Sequence, residues 1–219
     1  HRNLVANIAQ CDFIDPSKPG DHTVGILPFF HIYGMVVIQC MVLRKGATVV
    51  TMPQFDLETY LRLNQDHRCR NAYLVPPIAL ALAKHPIVDR FKLSLETITS
   101  GAAPLGADLE AAVEARIGAL TKQGYGMTEA SPVTHFTPAE RALVRHGSCG
   151  LVIPNTEVRV VEVATGRDCG VGEHGELLIR GPQIMKGYLN NPEATASAID
   201  ADGWLHTGDV GYVDADGYF

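Results

Sequence analysis

Residues 123–129 read Gln-Gly-Tyr-Gly-Met-Thr-Glu, and this heptad carries more information about fold and function than any other stretch of the chain. Its two glycines allow the backbone to approach a ligand on either side of an aromatic ring. Tyr125 offers a flat face on which a base can stack. Thr128 has a hydroxyl that can reach a phosphate oxygen, and Glu129 has a carboxylate suited to Mg²⁺. The heptad indicates a nucleotide site, with a glycine-rich turn around a buried tyrosine as the simpler alternative.

Strands and helices are predicted to alternate on both sides of His31 and up to the heptad. The predicted helices span residues 2–11, 34–44, 56–66, a stretch opened by Pro76 and Pro77, and 106–117, and the predicted strands span 24–29, 47–52, 73–75, 97–99 and 120–123. This order is typical of an α/β fold with a helix-covered, mostly parallel sheet. In such sheets ligands bind beyond the carboxyl ends of the strands. Because the segments of His31, Ala102 and Tyr125 each follow a strand, we expect them to share one site.

The pattern changes after about residue 147, where short alternating strands and turns follow one another. Strands are predicted over 156–163 and 175–180, with two more between 204 and 213, which indicates a small antiparallel, barrel-like unit. Residues 1–145 hold 14 basic and 13 acidic residues, whereas residues 146–219 hold 4 basic and 11 acidic residues. The shift supports a boundary between an α/β subdomain, 1–145, and a β-rich subdomain, 146–219. Residues 1–20 are expected to end a preceding subdomain.

The composition narrows the class of protein. The 219 residues are 46% hydrophobic with a net charge of −6, so a globular protein is expected and nucleic acid is not the expected partner. The five cysteines are widely spaced without a Cys-x-x-Cys pair, which favours reduced thiols and a cytoplasmic protein. No apolar run is long enough for a transmembrane segment. The chain begins inside a predicted helix without a signal peptide, so we expect it to come from a longer protein.

Four further motifs accompany the heptad. They are Ser-Gly-Ala-Ala-Pro-Leu at 100–105, Asp-Gly-Trp-Leu-His-Thr-Gly-Asp at 202–209, Leu-Pro-Phe-Phe-His-Ile-Tyr-Gly at 27–34, and Gly-Pro-Gln-Ile-Met-Lys-Gly-Tyr at 181–188. In order and spacing the chain resembles the acyl-adenylate-forming enzymes, most strongly 4-coumarate–CoA ligase and other acyl-CoA synthetases. The resemblance covers essentially the whole chain. It implies that ATP and a small carboxylic acid form acyl-AMP and pyrophosphate, with Mg²⁺, and that CoA then displaces AMP.

The resemblance also implies roles for particular residues. The catalytic residues would be His31 beside the acyl carboxylate and thiol path, Thr128 on the α-phosphate, and Glu129 as the metal ligand. Asp209 would accept hydrogen bonds from the ribose hydroxyls. The implied adenylate-binding residues are Ala102, Ala103, Gln123, Gly124, Tyr125, Gly126, Thr128 and Asp209, with Tyr125 stacked on adenine. The implied acyl-binding residues are His31, Tyr33, Val37, Thr99, Ala102, Gly124, Pro132 and Val133.

Plainer interpretations stay open for several of these residues. In the plainer interpretation, Asp209 is only a turn residue after Gly208. His31 is then a half-buried histidine with satisfied hydrogen bonds, and the apolar residues belong to the ordinary core. The acid is aryl, cinnamate-type or fatty. A non-catalytic fragment that binds AMP or acyl groups, a peptide-synthetase adenylation domain and a luciferase-like enzyme remain alternatives. A dinucleotide dehydrogenase is disfavoured because no Gly-x-Gly-x-x-Gly follows a strand near an acidic residue.

Residues 1–219 lack parts of the pattern that the resemblance implies. A Ser/Thr/Gly-rich phosphate loop would precede His1, and an Asp-Arg segment and a domain with a catalytic lysine would follow Phe219. We therefore expect the isolated 219 residues not to form acyl-AMP at a useful rate, because missing charge-stabilising groups cost orders of magnitude. Pyrophosphate release from the purified chain tests this, and robust, acid-dependent release would contradict it.

Overall fold

The computed structural model describes residues 1–219. The α-helices are α1 (Arg2–Cys11), α2 (Val42–Arg44), α3 (Leu57–Asp66), α4 (Pro76–Lys84), α5 (Ala107–Ile117) and α6 (Pro192–Ala198), and a π-helix spans Tyr33–Met41. Short 3-10 helices span Pro86–Arg90, Thr128–Ala130 and Arg141–Leu143. The strands are β1 (His22–Gly25), β2 (Thr48–Thr51), β3 (Asn71–Leu74), β4 (Thr97–Ser100), β5 (Leu120–Gly126), β6 (Val133–Phe136), β7 (Leu151–Val152), β8 (Glu157–Val161), β9 (Gly175–Arg180) and β10 (Leu205–Gly211).

Local sequence explains where several helices begin and end. The Asp56 side chain accepts a hydrogen bond from the Thr59 amide at 2.8 Å and caps α3. Pro76 opens α4, where the missing N–H leaves no intrahelical bond unmade. Gly118 ends α5 in the left-handed region, at φ +80°, which costs a glycine little.

A five-stranded sheet in the order β3-β4-β5-β6-β7 forms the centre of the fold. Strands β3, β4 and β5 are parallel, whereas β6 and β7 add to one edge in antiparallel fashion. Strands β1 and β2 form a separate parallel pair. The predicted α/β class is confirmed, and its parallel strands all end at the same edge of the sheet.

Apolar clusters cover both faces of this sheet. One contains buried residues of α3, α4 and α5, including Leu61, Leu82 and Val113. The other contains the π-helix and the end of α1, with Val37 and Cys11 as members. The central strands are therefore sandwiched between helices, as parallel strands usually are.

The second part of the chain forms an antiparallel three-stranded sheet, β10-β9-β8. A small cluster of Val161, Leu178 and Trp204 packs against it. The last residues return to the first sheet, where the Phe219 amide donates to the Gly150 carbonyl at 3.0 Å. Since β7 pairs with β6, the chain leaves the five-stranded sheet after Val152; the predicted boundary near 145 stays a prediction.

Two predicted strands end elsewhere in the structure. The strand predicted over 24–29 is β1 and ends at Gly25, because Pro28 has no N–H for a ladder and its carbonyl accepts the His31 amide in a turn. The strand predicted over 120–123 continues as β5 to Gly126. It does so because β6 folds back and supplies partners to the first residues of the heptad.

Two other predicted elements differ in kind. The helix predicted over 34–44 is a π-helix up to Met41 and α-helical only at its end, a difference that apolar periodicity does not reveal. The two short strands predicted between 204 and 213 are the single strand β10. Its register shifts between His206 and Val210, where Gly208 has φ +72°.

No helix in the chain combines the length and the apolar character needed to cross a membrane. The five cysteines are free, and three of them are half-buried. Burial raises the pKa of the Cys149 thiol to about 11, so this thiol is protonated at neutral pH.

Candidate active site

A cavity of about 300 Å³ opens at the carboxyl edge of the parallel strands. Four segments line it: the start of the π-helix, the loop after β4, the end of β5 with the 3-10 helix that follows, and β6 with the residue before it. The predicted site residues that line the cavity are His31, Tyr33, Val37, Thr99, Ala102, Gly124, Tyr125, Gly126, Thr128, Glu129, Pro132 and Val133. The expectation of one shared site at this edge therefore agrees with the geometry, while the role of each residue stays a prediction.

Tyr33 forms part of the inner wall of the cavity. It is buried, and its hydroxyl donates to the carbonyl of Thr99 at 3.2 Å. A Cβ at Gly101 would lie 3.1 Å from the Tyr33 ring, so the glycine allows the loop after β4 to pack against that ring. Val37 follows one turn later in the π-helix and is also buried. The wall is apolar and rigid, which suits the body of an organic acid.

His31 lies at the exposed side of the same wall. Its Nδ1 accepts the Tyr33 amide at 3.1 Å, which leaves Nε2 without a partner in the chain. His31 is exposed where the plainer interpretation expected a half-buried residue, and its catalytic role stays a prediction. A free ring nitrogen at the cavity wall can donate to, or accept from, a ligand.

The end of β5 comes very close to the loop before β6. A Cβ on Gly126 would lie 2.0 Å from the carbonyl oxygen of Pro132, which is far too close for any side chain. Gly124 pairs with Phe136, and a Cβ there would be 3.1 Å from that ring. The glycines of the heptad are therefore needed for backbone approach within the protein as well as for access to the cavity.

Glu129 is held in place from the second half of the chain. Its Oε1 accepts a hydrogen bond from the Tyr188 hydroxyl at 2.7 Å, and its carbonyl accepts the Met185 amide at 2.8 Å. The bond to Glu129 raises the pKa of Tyr188. Thr128, beside it, is exposed. Tyr188 belongs to the motif at 181–188, but the sequence did not predict its contact with Glu129.

Asp209 lies outside the cavity lining but contacts the site. The Tyr125 hydroxyl donates to its Oδ2 at 2.6 Å, although the residues are 84 positions apart. Burial and this bond raise the pKa of Tyr125 above its ordinary value. The exposed carboxylate on β10 thus stands at the edge of the cavity, as the prediction of a common cleft requires.

Gln123 and Ala103 do not line the cavity. The Gln123 side chain is buried, and both its donor and its acceptor bind the backbone of Leu105 at 2.8 Å. It therefore holds the loop after β4, and its predicted contact with a nucleotide stays a prediction. Ala103 is exposed in that loop, next to Ala102, whose φ of +69° is unusual for a residue with a side chain.

His135 supports Tyr125 from behind and was not predicted as a site residue. The ring centroids of Tyr125 and His135 are 5.5 Å apart. His135 also contacts Phe219, with 4.4 Å between the ring centroids. Burial lowers the pKa of His135 to about 3, so the imidazole is neutral. Only the pairing of β5 with β6 brings it to this position.

Glu129 is the one predicted metal ligand, and few other potential ligands surround it. The chain has no cluster of three or more His, Cys, Asp or Glu side chains placed to hold a metal ion. Mg²⁺ often binds through one or two carboxylates together with substrate phosphates. Glu129, half-buried at the cavity, fits that mode of binding and no all-protein cage.

Comparison with known proteins identifies the family. The model of the AMP-binding enzyme family matches residues 1–189. The chain belongs to this family. The family predicted from the motifs is confirmed.

Relatives of this AMP-binding chain include CoA ligases. Probable 4-coumarate–CoA ligase 1 of Dictyostelium discoideum is 45% identical over 224 residues, which cover 100% of the chain and 40% of the relative. 4-Coumarate–CoA ligase 2 of Oryza sativa subsp. japonica is 48% identical over 227 residues, which cover 99% of the chain and 40% of the relative. The chain therefore spans about 40% of the length of these relatives.

Solved structures of other proteins share the fold. ATP-bound MatB from Rhodopseudomonas palustris superposes with a TM-score of 0.88 at 29% identity, over 100% of the chain and 43% of that protein. A long-chain-fatty-acid–CoA ligase from Archaeoglobus fulgidus superposes with a TM-score of 0.86 at 28% identity, over 100% of the chain and 46% of that protein. The coverage agrees with that of the sequence relatives.

Proposed function

We propose that residues 1–219 form the acyl- and adenylate-binding part of an AMP-forming acid–CoA ligase. The protein would join a carboxylic acid, aryl or cinnamate-type or fatty, to CoA through acyl-AMP. The observation that carries the proposal is the single cavity that brings together His31, Thr128 and Glu129, with Asp209 attached to its edge through Tyr125. The relatives named CoA ligases support it.

The first half-reaction requires alignment and charge neutralisation. An oxygen of the carboxylate attacks the α-phosphorus of ATP, and pyrophosphate leaves. The exposed Thr128 hydroxyl donates to the α-phosphate, and Glu129 is the residue that would hold Mg²⁺. Bound there, Mg²⁺ would supply positive charge against the charge that develops on the phosphates. The apolar wall of Tyr33 and Val37 excludes water from the acid.

The nucleotide is held by the other side of the cavity. We place adenine against Tyr125, whose ring is fixed by His135 and by the bond to Asp209. Asp209 accepts hydrogen bonds from the ribose hydroxyls. The loop around Ala102 and Ala103 borders the base with its backbone groups.

In the second half-reaction the CoA sulfur attacks the acyl carbonyl carbon, and AMP leaves with the bonding electrons. His31 lies at the exposed side of the acid site with Nε2 free, and we assign it to the carboxylate and thiol path. The five free cysteines support a reducing compartment, and we propose a cytoplasmic enzyme. Nucleic acid is not a proposed partner.

The proposal is tested by screening carboxylic acids for acid-dependent pyrophosphate release and thioester formation. The screen uses the complete gene product that contains residues 1–219. Activity with cinnamic or fatty acids is the expected result. Binding of AMP without any pyrophosphate release or thioester, across the panel, would instead favour the non-catalytic alternative.

A first substitution addresses the ribose role of Asp209. We expect Asp209→Asn to weaken AMP binding about tenfold, because a neutral amide accepts more weakly than a carboxylate. Calorimetric titration with AMP measures it. The matched control is Asp202→Asn, which changes an exposed carboxylate near the same sheet. Equal affinities for both variants would refute the assignment of Asp209.

A further inference from the structure

Lys122 is a buried amine for which the proposed mechanism has no use. Its side chain is fully buried in β5, and Nζ donates to the carbonyl of Thr137. Nζ also lies 4.0 Å from the centroid of the Phe136 ring. Burial lowers the pKa of this amine to about 7, although the nearby Asp15 carboxylate acts in the opposite direction. An amine with three donor hydrogens and one accepting partner is costly to bury.

The amine stands directly behind the cavity. Phe136 lines the cavity and is 5% exposed, so its ring separates the cavity from Lys122. In the sheet Lys122 pairs with Thr99, and Gly124 pairs with Phe136. Because side chains two residues apart on a strand share a face, Lys122 lies one layer below Gly124, on the cavity side of the sheet.

A buried polar group in the same layer lacks a partner. The hydroxyl of Thr99 is buried and makes no hydrogen bond in the chain, although Thr99 lines the cavity. Lys122 and Thr99 face the same side of neighbouring parallel strands. The inner end of the cavity therefore has an aromatic ring, the unpaired Thr99 hydroxyl beside it, and behind it an amine with a single hydrogen-bond acceptor.

We propose that Phe136 is the end wall of the acyl pocket and sets the length of the acids that fit, and that Lys122 behind it binds a second carboxylate once that ring is removed. The inference rests on the proposed function, since it deepens the acyl specificity of the same cavity. It assigns a specificity role to Phe136 and a potential anion site to Lys122. The role of Phe136 follows from its position in the cavity lining, and the role of Lys122 follows from the contact of its amine with that ring.

The experiment compares three acids on the complete gene product: cinnamic acid, para-isopropylcinnamic acid and para-carboxycinnamic acid. For wild type we expect cinnamic acid to have the highest kcat/KM of the three. In Phe136→Ala the two longer acids should gain about tenfold or more relative to cinnamic acid, because the ring no longer blocks them. Of these two, the dicarboxylic acid should be favoured by about tenfold, since its far carboxylate can pair with Lys122.

The double variant Phe136→Ala/Lys122→Met separates the two parts of the proposal. It should accept the isopropyl acid as Phe136→Ala does and lose the preference for the dicarboxylic acid. An unchanged preference in the double variant would overturn the anion site. An acid profile of Phe136→Ala identical to that of wild type would overturn the end wall.

Controls keep the outcome interpretable. Phe13→Ala removes the same ring from a side chain that is 71% exposed and should leave the profile unchanged. Melting curves check folding; if Phe136→Ala is unfolded, Phe136→Leu must show the gain for the isopropyl acid, and no gain would overturn the end wall. Saturation-transfer NMR with the same acids reports binding independently of turnover. A wild type that neither binds nor activates any acid of a panel that also includes fatty acids refutes the proposed function, whereas a wild type active on the cinnamic acids with an unaltered Phe136 variant refutes only this inference.

Discussion

The Glu129→Gln variant of the complete gene product is expected to form acyl-AMP about a hundredfold to a thousandfold more slowly than wild type. Glutamine keeps the size of the side chain and can still accept the hydrogen bond from Tyr188. It removes the negative charge that a hard cation such as Mg²⁺ prefers. The variant therefore binds the metal poorly, and acyl-AMP formation from ATP, measured as pyrophosphate release, slows.

Thioester formation from preformed acyl-AMP should suffer much less, because the phosphates that share the metal have already left. The two half-reactions are measured separately, together with a melting curve. Glu140→Gln provides the control, since it neutralises an exposed glutamate outside the cavity. Equal losses in both half-reactions with a lowered melting temperature would mean that Glu129 only stabilises the fold.

The Gly126→Ala variant is expected to lower the free energy of unfolding by about 3 kcal/mol. Its new Cβ would lie 2.0 Å from the Pro132 carbonyl oxygen, and a backbone group cannot rotate away as a side chain can. Strand β5 or the loop before β6 must shift. Since Tyr125 and Thr128 flank this point, acyl-AMP formation should fall by about a hundredfold in the molecules that remain folded.

Chemical denaturation followed by circular dichroism measures the loss of stability. Gly106→Ala is the matched control, because its Cβ would meet nothing within 4 Å and its φ is −65°. That substitution should change stability by less than about 1 kcal/mol. Similar stabilities of the two alanine variants would show that the approach of β5 to Pro132 is not a constraint.

Local signals in the sequence account for most of the elements. The alternation of strands and helices predicted the sheet, and Asp56 and Pro76 predicted the starts of two helices. The predictions were wrong about the end of one strand and about the type of one helix. β5 runs through the start of the heptad because β6 pairs with it, and the π-helical turns of 33–41 have the same apolar pattern as an α-helix.

The sequence by itself determined the family, the alternation of strands and helices up to the heptad, and 12 of the 17 residues that line the cavity. Such features depend on short motifs and on the carboxyl ends of parallel strands, which local residues specify. Only the tertiary structure decided which side chains hold one another. Tyr125 meets Asp209 and Glu129 meets Tyr188 across 84 and 59 positions, and Phe136 covers Lys122. These contacts depend on which strands pair and on the return path of the chain, and packing between segments far apart in the sequence decides both.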